Sequence, residues 1–219
     1  MCVNYVTVKP GSMARFGAPE PQGEWETEVW QDYAAPIVVA DRQGRRHSLL
    51  ASYGMVPQHR LPGGSAFSTM NARAETVAEL RSYREAWALG QLCLVPMAHY
   101  FEPNYESGRH VRWAIGLASE APFAVAGLWR AWAQPDGRKV CSFTQLTVNA
   151  DTHPLLRRFH RPGDEKRSLV IVAPDDHARW LACRDPVQAR AMLQLTPAAQ
   201  LHAFAAPPGG QFDPQAALF

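Results

Sequence analysis

Cys2 follows Met1 directly. A small second side chain favours removal of Met1, which would leave Cys2 with a free α-amine beside its thiol. An aldehyde attacked by that amine gives an imine, and the adjacent thiol then closes a five-membered thiazolidine. The second step is intramolecular and gains the advantage of proximity. The ordinary pKa values, about 7.7–8.0 for an α-amine and about 8.5 for a thiol, leave both groups partly reactive near neutral pH. Met1-Cys2 alone is also what a position tolerant of any small residue looks like.

Four further segments hold polar residues that packing does not explain: Ser68 to Thr76, Tyr100 to Asn104, Leu146 to Asp151, and Phe159 to Arg167. Glu102 follows two aromatics. An acid in apolar surroundings has its pKa raised and can donate a proton; the alternative is a salt-bridged carboxylate. His160 suits proton transfer near neutrality, with His153 its nearby competitor. Arg73 offers a guanidinium fork to a phosphate, or else a surface ion pair. Asn71 reads equally as a helix-start residue.

The elements that must position these groups are mostly strands. Ile37–Ala40 and His47–Tyr53 flank the turn Asp41-Arg42-Gln43-Gly44 and predict a hairpin. The apolar runs from Leu92, Val111, Phe123, Val140 and Leu169 predict further strands, with Pro96 ending the first. Thr76 with Glu79 reads as a capping box opening a helix that Gly90 closes, so Asn71–Arg73 would lie just before a helix N-terminus, a favourable place to meet an anion. Shorter helices are expected near Asp175 and from Asp185-Pro186. Many strands and few helices imply one α+β domain over residues 1–204, a curved, mainly antiparallel sheet or barrel-like core flanked by helices, with an Ala/Pro/Gly-rich tail over 205–219.

The chain has 219 residues, 47% hydrophobic and 19% charged, with a net charge of +2, too small to argue for nucleic acid by itself. The four cysteines, at 2, 93, 141 and 183, have neither metal-like spacing nor close pairs. No metal and no cofactor is expected. Scattered thiols, the lack of a signal-peptide pattern and the lack of a long apolar run predict a soluble cytoplasmic protein with no membrane partner.

Taken in order, the N-terminal Cys2, Asn71-Ala72-Arg73-Ala74-Glu75-Thr76, Tyr100-Phe101-Glu102, and Thr147-Val148-Asn149 leading to His160 resemble the SRAP family, the SOS-response-associated peptidases. The resemblance spans residues 2 to about 181. It implies the SRAP fold and a sensor and shield for abasic sites in single-stranded DNA. The open-form sugar aldehyde would be trapped by Cys2 as a thiazolidine crosslink after self-removal of Met1. It implies an enzyme with catalytic residues Cys2, Asn71, Glu102 and His160, DNA contacts from Arg73, Tyr53, Pro57, Phe67 and Arg161, and support from Thr147 and Asn149. A monomer associated with the nucleoid when bound to DNA is expected.

Two departures stand out. Many members read Cys-Gly-Arg at the start where this chain has Cys2-Val3-Asn4. Many have Trp where Tyr53 and Pro103 stand here. Two other classes of function also fit the residues. One is a cysteine peptidase with Cys2, His160 and Glu102 as nucleophile, base and orienter; the other is a non-catalytic single-strand DNA-binding domain.

Overall fold

The predicted hairpin forms, as β3 (Ala34–Ala40) and β4 (Arg46–Tyr53) paired antiparallel from Ala34↔Ser52 to Ala40↔Arg46. The structure is a computed structural model that describes residues 3–61 and 67–207; Cys2 and the tail from residue 208 onward lie outside the described residues.

Around this hairpin a barrel closes. β6 (Leu92–Met97) pairs with β3 and with β9 (Phe123–Ala133). β9 pairs with β10 (Lys139–Asn149), and β10 returns to β4 in parallel. The parallel step is the exception in an otherwise antiparallel ring. β10 is long enough to carry more partners at its far end: β5 (Asn71–Arg73) in parallel and β11 (Arg167–Leu169) antiparallel, while β12 (Ile171–Val172) edges β9. Gly127 sits where β6, β9 and β10 crowd together. A Cβ there would come within 2.8 Å of both the Cys93 Sγ and the Thr144 carbonyl oxygen, so only glycine fits.

A second, five-stranded antiparallel sheet lies beside the barrel, in the order β13 (Leu201–Ala205), β8 (Val111–Leu117), β7 (His99–Asn104), β1 (Tyr5–Val6), β2 (Glu28–Val29). Alternate residues of the barrel strands enter two cores. Ile37, Val95, Val125 and Phe143 join Tyr5, Tyr100 and Ile115 of the second sheet. Val38, Leu94, Ala126 and Leu146 join the side covered by α1 (Arg84–Ala88), α2 (His177–Ala182) and α3 (Pro186–Ala191). Burial on both faces explains why the strands read as continuous apolar runs. No helix of the described residues is long and apolar enough to cross a membrane.

Three expectations are corrected. The helix predicted from Thr76 to Gly90 is a series of turns that becomes helical only over α1, and Thr76 Oγ1 makes no capping bond. Packing overrides propensity here: turns let both Val77 and Trp87 reach the core and send the Tyr83 hydroxyl to the Asn71 carbonyl at 3.1 Å. Asn71–Arg73 therefore lies in strand β5, not before a helix. Pro96 lies inside β6, opposite Ala124, rather than ending it. The Asp185 cap forms as expected, its carboxylate accepting from Val187 N at 2.8 Å. The three described cysteines are free; Cys93 is buried and its thiol is pushed up by burial, while Cys141 is only half-buried.

Candidate active site

Glu102 and His160 meet in the interior. Glu102 sits on β7 and is 3% exposed; His160 follows a short 3-10 turn and is 8% exposed. The His160 Nδ1 lies 3.5 Å from Glu102 Oε2. On the other edge of the ring, Nε2 stands 2.8 Å from the Arg167 carbonyl; a carbonyl only accepts, so Nε2 carries a proton there. Burial holds the imidazole below its ordinary pKa, against the opposing pull of that carbonyl. The pair can thus hold a proton between carboxyl and Nδ1 and pass it on.

His160 is held in an unusual backbone state, φ +66°, and its N–H donates to the Pro103 carbonyl at 2.8 Å. A non-glycine residue at positive φ costs about 1–2 kcal/mol. Here that strain turns the ring off the end of the 3-10 turn and toward β7. His153, the competing histidine, is structural: Nδ1 accepts from Leu155 N and Leu156 N at 3.2 and 3.1 Å, and Nε2 donates to the Thr196 carbonyl at 2.9 Å.

The pair lies between two cavities. Glu102 lines one of about 830 Å³ together with Val3, Asn4, Trp30, Pro103 and Arg112. His160 lines another of about 470 Å³, with Arg157, Arg158 and Lys166 in its wall. The N-terminal strand reaches the first cavity because β1 pairs with β7, Tyr5 opposite Tyr100, and Phe101 N donates to the Asn4 carbonyl. Val3 is half-exposed at the cavity rim.

Asn71, Arg73 and Thr147 come together on β5 and β10, with Asn71 opposite Gln145 and Arg73 opposite Thr147. Arg73 is half-exposed and pairs with Glu165 at 3.1 Å. Thr147 is buried and its hydroxyl donates to the Ala72 carbonyl at 3.3 Å. Asn149 is exposed and donates to Asp151 and Glu165. Arg161 is exposed, its Nε 3.4 Å from the Tyr105 hydroxyl, and Phe67 is exposed.

Tyr53 and Pro57 are corrected as DNA contacts, since both are buried. Tyr53 belongs to the barrel interior, stacked on Phe143 with centroids 5.2 Å apart and donating to Gln145 Oε1 at 3.0 Å. A base could reach its face only if the barrel opened. Asn4, one of the N-terminal departures, is 2% exposed and donates to Glu28 Oε1. The same carboxylate oxygen accepts from Arg112 at 2.7 Å, and the Arg112 guanidinium stacks 3.4 Å from the Phe101 ring centroid. Asn4 therefore ties the N-terminal strand to the cavity wall.

Sequence reasoning missed Arg167, read there as part of a polar run. It is 3% exposed and donates to Glu75, Glu165 and both oxygens of Thr147, at 2.5 to 3.2 Å. It clamps β5, β10 and β11 beneath His160. Its signal is faint: one arginine opening the short apolar run that forms β11.

Comparison with known proteins agrees with this architecture. A structure from Bordetella bronchiseptica superposes with a TM-score of 0.84 at 32% identity, covering 94% of this chain and 99% of that one. A structure from Bacteroides thetaiotaomicron does so with a TM-score of 0.76 at 19% identity, covering 94% and 93%. Among curated proteins, the abasic site processing protein YoqW of Bacillus subtilis is 24% identical over 188 residues, 84% of this chain and 80% of its own. YoaM of the same organism, also named an abasic site processing protein, is 25% identical over 163 residues, 74% of this chain and 68% of its own. The family description "SOS response associated peptidase (SRAP)" matches residues 1–207, and the chain belongs to that family.

Proposed function

We infer that this protein processes abasic sites in single-stranded DNA by covalent capture through Cys2 after removal of Met1. The observation that carries the reading is the buried Glu102–His160 pair, with Glu102 in the wall of a cavity whose rim includes Val3. Cys2 is bonded to Val3, and successive Cα atoms are about 3.8 Å apart. The relatives named as abasic site processing proteins support the same substrate.

In this reading a carboxyl at Glu102 protonates the ring oxygen of the closed abasic sugar and frees the aldehyde. The Cys2 amine adds to the carbonyl carbon. Loss of one water gives the imine, and the thiol sulfur adds to the imine carbon while its proton passes to nitrogen. One water leaves overall and one thiazolidine forms. His160 relays protons with Glu102. Asn71 orients the terminus or the sugar, held by β5. Thr147 and Asn149 support through hydrogen bonds. Arg73 and Arg161 take backbone phosphates, with Arg157 and Lys166 lining the basic cavity beside them, and Phe67 offers an exposed ring for stacking.

The test incubates the protein with an oligonucleotide carrying one abasic site, followed by a denaturing gel and an intact mass. The expected result is a shifted band, a free protein lacking Met1, and no band with Cys2→Ala. A band that survives Cys2→Ala overturns the mechanism. A residue inserted before Cys2 separates this chemistry from a thiol peptidase: it blocks aldehyde capture and spares a peptidase.

A further inference from the structure

The stretch from His160 to Arg167 is basic except for Asp164 and Glu165. Glu165 faces the groups assigned above to meet DNA, where a like charge is out of keeping. Three side chains from three strands converge on it. Arg73 of β5 lies 3.1 Å from Oε2, while Arg167 of β11 and Asn149 of β10 donate to Oε1 at 2.5 and 3.2 Å. Desolvation raises its pKa, but the hydrogen bonds from Asn149 and Arg167 and the charges of Arg167 and Arg73 hold it below the ordinary value. Glu165 is therefore an anion at neutral pH.

Its partners differ in how firmly they hold it. The Arg167 side chain is 3% exposed and is fixed by Glu75 and Thr147 as well. The Arg73 side chain is 51% exposed, and its bond to Glu165 is the longer of the two ion pairs, 3.1 against 2.5 Å. An ion pair so exposed is weak and opens readily. An anion arriving from solvent thus reaches Arg73 and leaves the Arg167 pair intact.

We propose that Glu165 occupies Arg73 in the place of a DNA phosphate, that a bound strand must displace it, and that Glu165 thereby sets the affinity for DNA. The proposal rests on the reading that Arg73 takes a backbone phosphate. A carboxylate and a phosphate present the same paired oxygens to a guanidinium fork, so the two compete for one donor face. Arg167 and Asn149 keep Glu165 beside the phosphate that displaces it. Two like charges about 4 Å apart in water weaken binding about five-fold (about 1 kcal/mol). A strand captured covalently is not released by that repulsion, whereas an undamaged strand is. Glu165 touches no reacting atom; it favours release of DNA that holds no lesion.

The experiment uses a single-stranded oligonucleotide with a tetrahydrofuran abasic analogue, which binds but has no aldehyde to capture, and reads affinity by fluorescence anisotropy across a salt series. Glu165→Gln keeps an amide oxygen for Arg167 and Asn149 and removes the charge. It is expected to bind about five-fold tighter than wild type, with a salt slope steeper by about 0.7, the share of one phosphate on a single strand. In an Arg73→Ala background the same change should gain less than two-fold. Glu75→Gln removes an equal charge from Arg167 alone and should also stay within two-fold, which separates competition at Arg73 from net charge. The proposal is overturned if Glu165→Gln binds no tighter than wild type, if its gain survives Arg73→Ala, or if Glu75→Gln gains as much. Melting curves verify folding, and Glu165→Ala, measured the same way, decides if Glu165→Gln is not folded. An Arg73-dependent gain without any crosslink at a true abasic site would keep this inference and overturn covalent capture; a crosslink without that gain would do the reverse.

Discussion

His160 combines a proton-transfer ring with a left-handed backbone, and substitution can separate the two. Alanine at φ +66° bears the left-handed penalty of about 1–2 kcal/mol without a side chain that repays it. It also leaves the Arg167 carbonyl, now bonded by Nε2–H, with a lost partner in a buried site, at a cost of about 1–3 kcal/mol. His160→Ala is therefore expected to lose about 2–5 kcal/mol of stability, enough to blur any kinetic conclusion. Asparagine tolerates the left-handed region, so His160→Asn should lose only about 1–2 kcal/mol and stay folded. It cannot accept and return a proton near neutrality, so its single-turnover crosslinking rate at pH 7 should fall by about 10²–10⁴-fold, the usual worth of a positioned acid–base group. Urea unfolding gives the first quantity and quenched-flow sampling on denaturing gels gives the second. A His160→Asn protein that crosslinks within three-fold of wild type refutes proton transfer by His160. An alanine variant as stable as the asparagine one refutes the backbone argument.

Arg167→Met keeps the buried stem and removes the guanidinium. Its two carboxylate partners are half-exposed and return to water, and the Thr147 carbonyl still accepts from Ala74 N, so the loss should be about 2 kcal/mol rather than the 3–5 kcal/mol of a fully buried broken pair. A urea midpoint that shifts by under 0.5 kcal/mol equivalent would mean that Arg167 does not clamp the three strands. His99 sets an acid limit. Burial first, then the charges of Arg112 and His202, holds its pKa at about 4 against an ordinary 6.5. The unfolded chain therefore binds the extra proton first, so stability is full above about 6.5 and falls as pH drops toward 4. From pH 7.5 to 5.0 this one ring should remove about 2 kcal/mol, and His99→Phe, facing Phe101 and Phe204, should recover most of that difference in paired urea titrations. An unchanged pH dependence in His99→Phe would show that the ring is solvated.

The strands were legible because barrel and sheet strands must be apolar on buried faces, and successive residues such as Ile37 and Val38 enter different cores. Glu102 and His160 were singled out by the resemblance, and the fold brings them within 3.5 Å of each other. What the sequence hid was set at long range. Thr76 and Glu79 carry a correct capping pattern, yet Tyr83 is drawn to the Asn71 carbonyl and Val77 to the core, and no local rule weighs those contacts. Tyr53 was named as a stacking face for its place beside the loop that follows; its real neighbours, Phe143 and Gln145, lie some ninety residues away on β10.

Asn4 shows how such distant contacts change the meaning of a departure. On sequence alone, replacing a backbone-binding arginine by asparagine removes a cation from the DNA side. In the fold the amide is turned inward to Glu28, whose same oxygen holds Arg112, and Arg112 lies against Phe101 one residue before Glu102. The Arg112 guanidinium of β8 is thus held beside the site by Glu28 and the Phe101 ring. Because Arg112 is fixed by an ion pair and a ring rather than carried on a chain end, its charge loses less side-chain entropy on meeting a phosphate. Glu28 on β2 thus joins Asn4, which leads into β1, to Arg112 on β8.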